Sequence, residues 1–227
     1  MIFHTAAEIK YFDYFFENWH QTIKKVWGDD VKFSLRFVGP MEDRVATYCE
    51  THSIAVTHDP TVGVDPGYYP MSRWVSIPTG DHVCVTDVDI VALTKVRDIE
   101  HKLAEYDMIP ISRVKVTMNN PMMAVFYNKN FAKRVRNEAI RIFKTKALKW
   151  DLDVSVMKWC KGNLTWMELF EIQKLDNTIL GGVPVNDSMS FGYCGSTDYI
   201  GEDLITYSGV EAKHMRYKEL FLKMGEK

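Results

Sequence analysis

An α/β fold, with a mainly parallel central sheet flanked by helices, is what this sequence predicts. Three observations carry the expectation. Short apolar runs of period two alternate along the first half with longer segments of period near 3.6. The chain has 227 residues, 46% of them hydrophobic, and a formal net charge of −2; this length suits one large α/β domain or two small ones. The run "HVCVTDVDIVAL" at 82–93 is an apolar strand ending in two carboxylates. Ligands of open parallel sheets bind beyond such strand ends.

The elements follow in order. "MIFHTA" reads as a short strand. Over 8–27, Ile9, Phe12, Phe15, Phe16, Trp19, Ile23 and Val26 share one helical face, and "GDD" ends the helix. "VKFSLRFVG" alternates as a strand, "PMEDRVATYCETH" reads as a helix, and "SIAVTHD" as another strand. Gly63, Asp65, Pro66 and Gly67 mark a loop. "YYPMSRWVSIP" is a helical segment before the "VCVTDVD" strand, and a helix over 93–106 precedes strand "DMIPISRVKV". The second half holds strand "PMMAVFYN", a basic helix over 129–148, the short helix "WDLDVSVMKWCKG", and strand-like "TWMELFEI". A Gly/Pro-rich stretch over 181–195 and a basic C-terminus complete it. We expect one domain, 1–118 forming a nucleotide-type half and 119–227 a half that completes the site.

The near-neutral charge argues against a surface tuned as a whole to nucleic acid or acidic membrane. Cys49, Cys84, Cys160 and Cys194 show no C-x-x-C spacing, so a reducing, cytoplasmic setting is expected rather than a disulfide or zinc framework. "MIFHTAAEIKYFDYFF" has no basic region followed by an apolar one. No run reaches the ~18 apolar residues of a membrane span.

In a strand, residues i and i+2 point to one side, so Asp87 and Asp89 can converge where the strand ends. Two such carboxylates suit a hard cation, Mg²⁺ or Mn²⁺, with water and substrate phosphates completing its shell. Solvated loop carboxylates are the other reading. The D-x-D spacing recurs at Asp151 and Asp153, and only position after an apolar strand distinguishes the first pair.

The segment "YYPMSRWVSIPTGDHVCVTDVDIVAL" resembles the core of GT-A fold nucleotide-sugar glycosyltransferases, of the retaining glycogenin and lipopolysaccharide galactosyltransferase kind. Tyr69, Arg73, Ile77, Pro78, Asp87 and Asp89 match that family's Tyr-x-x-x-Arg helix, Ile-Pro and Asp-x-Asp in order. "NNPMMAVFYN" is similar to the strand shaping the family's donor-sugar pocket, "WDLDVSV" to its Asp-Gln-Asp segment with Leu152 in place of Gln, and "ITYSGVEAKH" to its C-terminal His-x-x-Gly-x-x-Lys. Thr206 stands where the family has a metal-binding His, and Lys213 comes one residue late.

The resemblance implies a metal-dependent transfer of sugar from a nucleoside-diphosphate sugar, UDP-sugar first, to an acceptor hydroxyl, with retention. The acceptor class, glycan, protein or lipid, is open; nucleic acid is not expected. Asp87 and Asp89 would hold Mn²⁺ or Mg²⁺, with His214 as the third ligand. His4, Thr5, Arg73, Asp87, Lys213 and His214 would contact the donor. Asp153 would orient the donor sugar or an acceptor hydroxyl, with Asp151 as the second candidate. From the residues alone, Arg73 also suits a surface ion pair, and either aspartate suits a helix N-cap. Asn119 and Asn120 suit a sugar contact or a turn. The basic helix suits a solvated face, an anionic acceptor, a membrane surface or nucleic acid. A sugar-phosphate nucleotidyltransferase is the runner-up, but "FHTAAEIK" lacks the glycine-rich loop expected of one. A binding module without catalysis leaves the aspartate pair unexplained.

Overall fold

The computed structural model describes residues 1–62, 68–92, 94–112, 122–146, 152–167, 169–170, 191–193, 196–200 and 203–207. The chain begins with β1 (Ile2–Glu8), α1 (Ile9–Tyr11), a π-helical turn at Phe12–Phe16 and α2 (Glu17–Trp27). Next come β2 (Lys32–Val38), α3 (Asp43–Thr51), β3 (Ala55–Asp59), α4 (Tyr68–Val75) and β4 (His82–Thr86). β5 (Ile90–Ala92), α5 (Ile99–Glu105), β6 (Met108–Ser112), β7 (Met122–Asn128), α6 (Lys129–Thr145) and α7 (Leu152–Asn163) follow. The remaining strands are β8 (Leu169–Phe170), β9 (Phe191–Tyr193), β10 (Ser196–Ile200) and β11 (Asp203–Tyr207).

The central sheet has seven strands in the order β3-β2-β1-β4-β7-β6-β8. β1, β2, β3 and β4 run parallel, β6 and β8 share their direction, and β7 alone is reversed. A mainly parallel sheet is therefore what forms. The reversed strand comes from the second half of the chain and lies between two strands of the first. β5 pairs antiparallel with β9, and β10 with β11.

Both faces of the sheet are covered, and the period-two pattern assigns each side chain to its face. On β4, Cys84 points into an aromatic layer with Phe3, Phe15, Phe16, Trp19, Trp27 and Phe33. Its neighbours Val83 and Val85 point the other way, to Met71, Trp74, Tyr127, Val135 and Val156 under α4, α6 and α7. The N-terminal helix is continuous over 9–27 but opens into the wider turn at Phe12–Phe16. Phe12 stacks on Phe16 at 4.8 Å and Phe16 on Trp19 at 5.4 Å. Gly28 ends α2 at φ +91°, a backbone that glycine adopts without Cβ strain. Asn128 caps α6, its side chain accepting from the Asn130 amide at 3.1 Å.

Two elements differ from expectation. The helix predicted over 93–106 starts at Ile99, and the apolar residues directly after the aspartates form strand β5, which was not expected. The strand expected over "VCVTDVD" stops at Thr86, and the chain bends through Val88 and Asp89.

Candidate active site

The site is built at the carboxyl edge of the sheet by what α4 does there. Its first residues reach acids at the ends of two strands. Tyr68 donates to Asp59, the last residue of β3. Tyr69 bonds the Glu8 carboxylate at the end of β1, and burial together with that acid raises its phenol. One helical turn on, Arg73 reaches Asp87, the first residue beyond β4. The helix thereby spans the edge from β3 to β4.

Arg73 is the centre of the arrangement. One terminal nitrogen, Nη1, donates to Asp87 Oδ1; the other, Nη2, donates to Asp153 Oδ2 at 3.2 Å. The three side chains are only 12%, 18% and 22% exposed, so the guanidinium and both carboxylates are held largely out of water. Such pairing is charge-assisted and directional. Three sequence-predicted site residues from α4, the β4 edge and α7 are thus brought together. Asp89, two residues beyond Asp87 in the chain, is buried. Val88 between the two aspartates packs in the aromatic layer, but the strand whose alternation would set both aspartates on one side ends before them, at Thr86.

His4 and Thr5 act on the frame of the site. His4 is fully buried. Its Nε2 lies 2.9 Å from the Arg73 carbonyl and its Nδ1 3.0 Å from Ser34 Oγ. A carbonyl only accepts, so Nε2 carries the proton and Nδ1 accepts from Ser34. Burial pushes the imidazole down to about 4, helped by the Arg73 and Arg36 charges, against the hydrogen bonds that favour its charged form. Thr5 donates to the Thr86 carbonyl at 3.0 Å, and Trp19 Nε1 donates to Thr86 Oγ1 at 2.8 Å. Together they fix the last residue of β4, directly before Asp87.

The sequence reading passed over Asp59. It accepts from Arg36 Nη2 at 2.8 Å, Thr61 N at 3.1 Å and Thr61 Oγ1 at 2.6 Å, besides Tyr68. Burial alone would raise its carboxyl; the Thr61 and Tyr68 bonds and the Arg36 charge outweigh it and bring it to about 2. The available signal was an acid closing an apolar strand before a proline, with Arg36 on the adjacent strand. Asp151, Lys213 and His214, like Asn119 and Asn120, lie outside the described residues. Thr206 lies on β11, paired with Thr197.

A pH dependence follows from His4. Its folded pKa lies below the ordinary 6.5, so the unfolded chain binds the extra proton and stability is lost as pH falls from about 6.5 to about 4. Buried His20, also brought down to about 4, acts in the same window. The melting temperature should fall over this range in the parent, and His4→Gln should have a shallower slope, with part remaining from His20. An unchanged slope would show that His4 is not the titrating group.

No protein-family model and no curated protein sequence matches the chain. Solved structures do. The architecture is that of the GT-A nucleotide-diphospho-sugar transferases. The galactosyltransferase LgtC, in complex with donor and acceptor sugar analogs, superposes with a TM-score of 0.55 at 14% identity, over 96% of this chain and 96% of that one. TarS 1-349 of S. aureus, in complex with UDP, gives 0.53 at 12% identity, over 75% of this chain and 58% of that one. The apo form of the glycosyltransferase GlyE of Streptococcus pneumoniae TIGR4 gives 0.52 at 15%, over 74% and 44%. The matched region thus spans under half of GlyE and under two thirds of TarS, whereas it spans nearly all of LgtC.

Proposed function

We propose that this chain is a glycosyltransferase that moves a sugar from a nucleoside-diphosphate sugar, a UDP-sugar first, to an acceptor hydroxyl with retention of configuration. The observation that carries the reading is Arg73 joining Asp87 and Asp153 at the carboxyl edge of a GT-A sheet. The neighbours with UDP or with donor and acceptor analogs support the same class of ligand. We read 1–227 as one domain, with the nucleotide on 1–118 and donor sugar and acceptor on 119–227.

The donor chemistry of the edge fits a hard divalent cation. Asp87 and Asp89 supply carboxylate oxygens, and one or two carboxylates beside water and substrate phosphate are a common way to hold Mg²⁺. Among the described residues no group of three or more His, Cys, Asp or Glu gathers there, so His214 is proposed as the further ligand. When bound, Mn²⁺ or Mg²⁺ neutralises charge on the departing diphosphate.

The chain's own residues do the rest. Arg73 holds Asp87 through Oδ1, so Asp87 would offer a cation a carboxylate that is already oriented. Asp153, held by the same guanidinium, orients the donor sugar, with Asp151 as the alternative on the same segment. Lys213 and His214 would contact the diphosphate. His4 and Thr5 serve the donor through α4 and the end of β4.

Calorimetric titration with UDP tests the reading. Mn²⁺ should strengthen binding in the parent by tenfold or more, roughly 1.4 kcal/mol, and Asp89→Ala should remove that gain. Incubation with a panel of sugar nucleotides and Mn²⁺ should release free sugar and nucleoside diphosphate slowly. Metal-independent UDP binding of equal strength in both proteins would reject the metal role, and absence of any nucleotide binding would reject the function.

A further inference from the structure

We propose that the outer face of α6 docks the protein on a lipid bilayer whose surface carries anionic headgroups. Ala132, Val135, Ala139 and Ile142 form the buried face of α6. Asn130, Lys133, Arg134, Asn137, Arg141 and Lys144 are all exposed, and their spacing of three and four sets them on the opposite face. No acid interrupts it. The acid of the helix, Glu138, lies on the flank with its side chain only 11% exposed, and it binds Arg141 at 2.5 and 2.9 Å. Among the described residues no carboxylate pairs with Lys133, Arg134 or Lys144. Exposed Lys158 on the adjoining α7 adds to the same sign.

This segregation is the informative feature. The chain as a whole has a net charge of −2, so attraction to anions does not come from net charge, and the acid-free cationic face of α6 is a local feature. A 17-residue helix gives that face a straight run of about 25 Å. The face is convex and presents no exposed aromatic ring: Phe131 and Phe143 are half-buried against the core. Stacking on bases has no platform on this helix face. A plane of mobile headgroups can gather beneath such a face, as it needs none. With no apolar side chain to insert, attachment is electrostatic, each Lys or Arg near the surface adding about fivefold to partition, and salt releases it.

The face also has a direction. α6 starts where Lys129 meets Asp81, before β4, at 3.5 Å. Just past its end, Lys146 reaches Ser155 at 3.2 Å, two residues after Asp153. Docking along α6 brings the candidate site to the membrane at one end of the footprint.

Sedimentation with vesicles tests this independently of donor chemistry. Phosphatidylcholine vesicles containing about a third phosphatidylglycerol should pellet the parent at about 0.05 M salt and release it at about 0.5 M. Pure phosphatidylcholine should not pellet it. K133E/R134E/K144E should lose at least tenfold in partition while keeping its circular dichroism and its UDP affinity. If charge reversal disturbs folding, K133Q/R134Q/K144Q is used instead, with a smaller loss in the same direction. Equal partition of parent and folded variant, or equal binding to neutral vesicles, overturns the proposal. Retention on soluble polyphosphate or nucleic acid without vesicle binding at low salt also overturns it, in favour of an anionic polymer.

Discussion

Arg73→Met is expected to lower the melting temperature by about 10 °C and to uncouple Asp87 from Asp153. The substitution keeps an apolar stem beside Trp74, over whose ring the guanidinium lies at 5.6 Å. It removes the charge on which two largely buried carboxylates depend. Breaking a buried pair by taking away one partner costs about 3–5 kcal/mol; the partial exposure here sets the expectation at the low end. At about 2–4 °C per kcal/mol for a chain of this size, about 3 kcal/mol gives the stated shift. Arg73→Lys should lie in between, because an ammonium lacks the planar fork that meets two carboxylates at once. Scanning calorimetry of Arg73→Met, Asp153→Asn and the double variant measures the coupling. Additive effects, or a melting temperature within 2–3 °C of the parent for Arg73→Met (under about 1 kcal/mol), would show that the ion pairs do not hold the site together.

Much of this frame was legible in the sequence, for a physical reason. The strand and helix periods are local, so β1, β2, β4 and α6 could be read from apolar spacing. Asp87 could be picked because a charged residue closing an apolar strand needs a partner, whereas Arg73 was picked out by the resemblance of its helix to the family's Tyr-x-x-x-Arg. The partners themselves were not readable. That Tyr68 closes on Asp59, Tyr69 on Glu8, and Arg73 on both Asp87 and Asp153 depends on which strand ends lie side by side, and strand order is a long-range property. The reversal of β7 was hidden for the same reason: an apolar run buried on both faces has the same pattern in either direction. The strand β5 was not read as an element because "IVAL" is too short for periodicity to decide. The burial of His4 was missed because a histidine amid apolar neighbours suits a ligand contact as well as an interior hydrogen bond.

Asp153→Asn should reduce sugar transfer by about 10²-fold or more, acting on kcat with little change in the donor's KM, and the parent should keep the anomeric configuration of an α-linked donor. Inversion requires a general base with an acceptor oxygen in line with the departing diphosphate. The carboxylates at the sheet edge are already engaged: Asp87 and Asp153 by Arg73, Glu8 by Tyr69, and Asp59 by Arg36, Thr61 and Tyr68. Asp89 is buried. An acid so held orients a sugar hydroxyl better than it collects a proton, and the departing diphosphate oxygen is the base that retention leaves available. Orientation is worth orders of magnitude in rate when it holds the reacting atoms in contact, which sets the size of the expected loss. An asparagine keeps the shape and one acceptor oxygen but gives up the charge that Arg73 binds, so the sugar loses a fixed partner while the nucleotide keeps its own. Proton NMR of the first-formed product reads the stereochemistry directly. A β-anomer appearing first from an α-linked donor would overturn retention, and full transfer activity in Asp153→Asn would remove Asp153 from the site's chemistry.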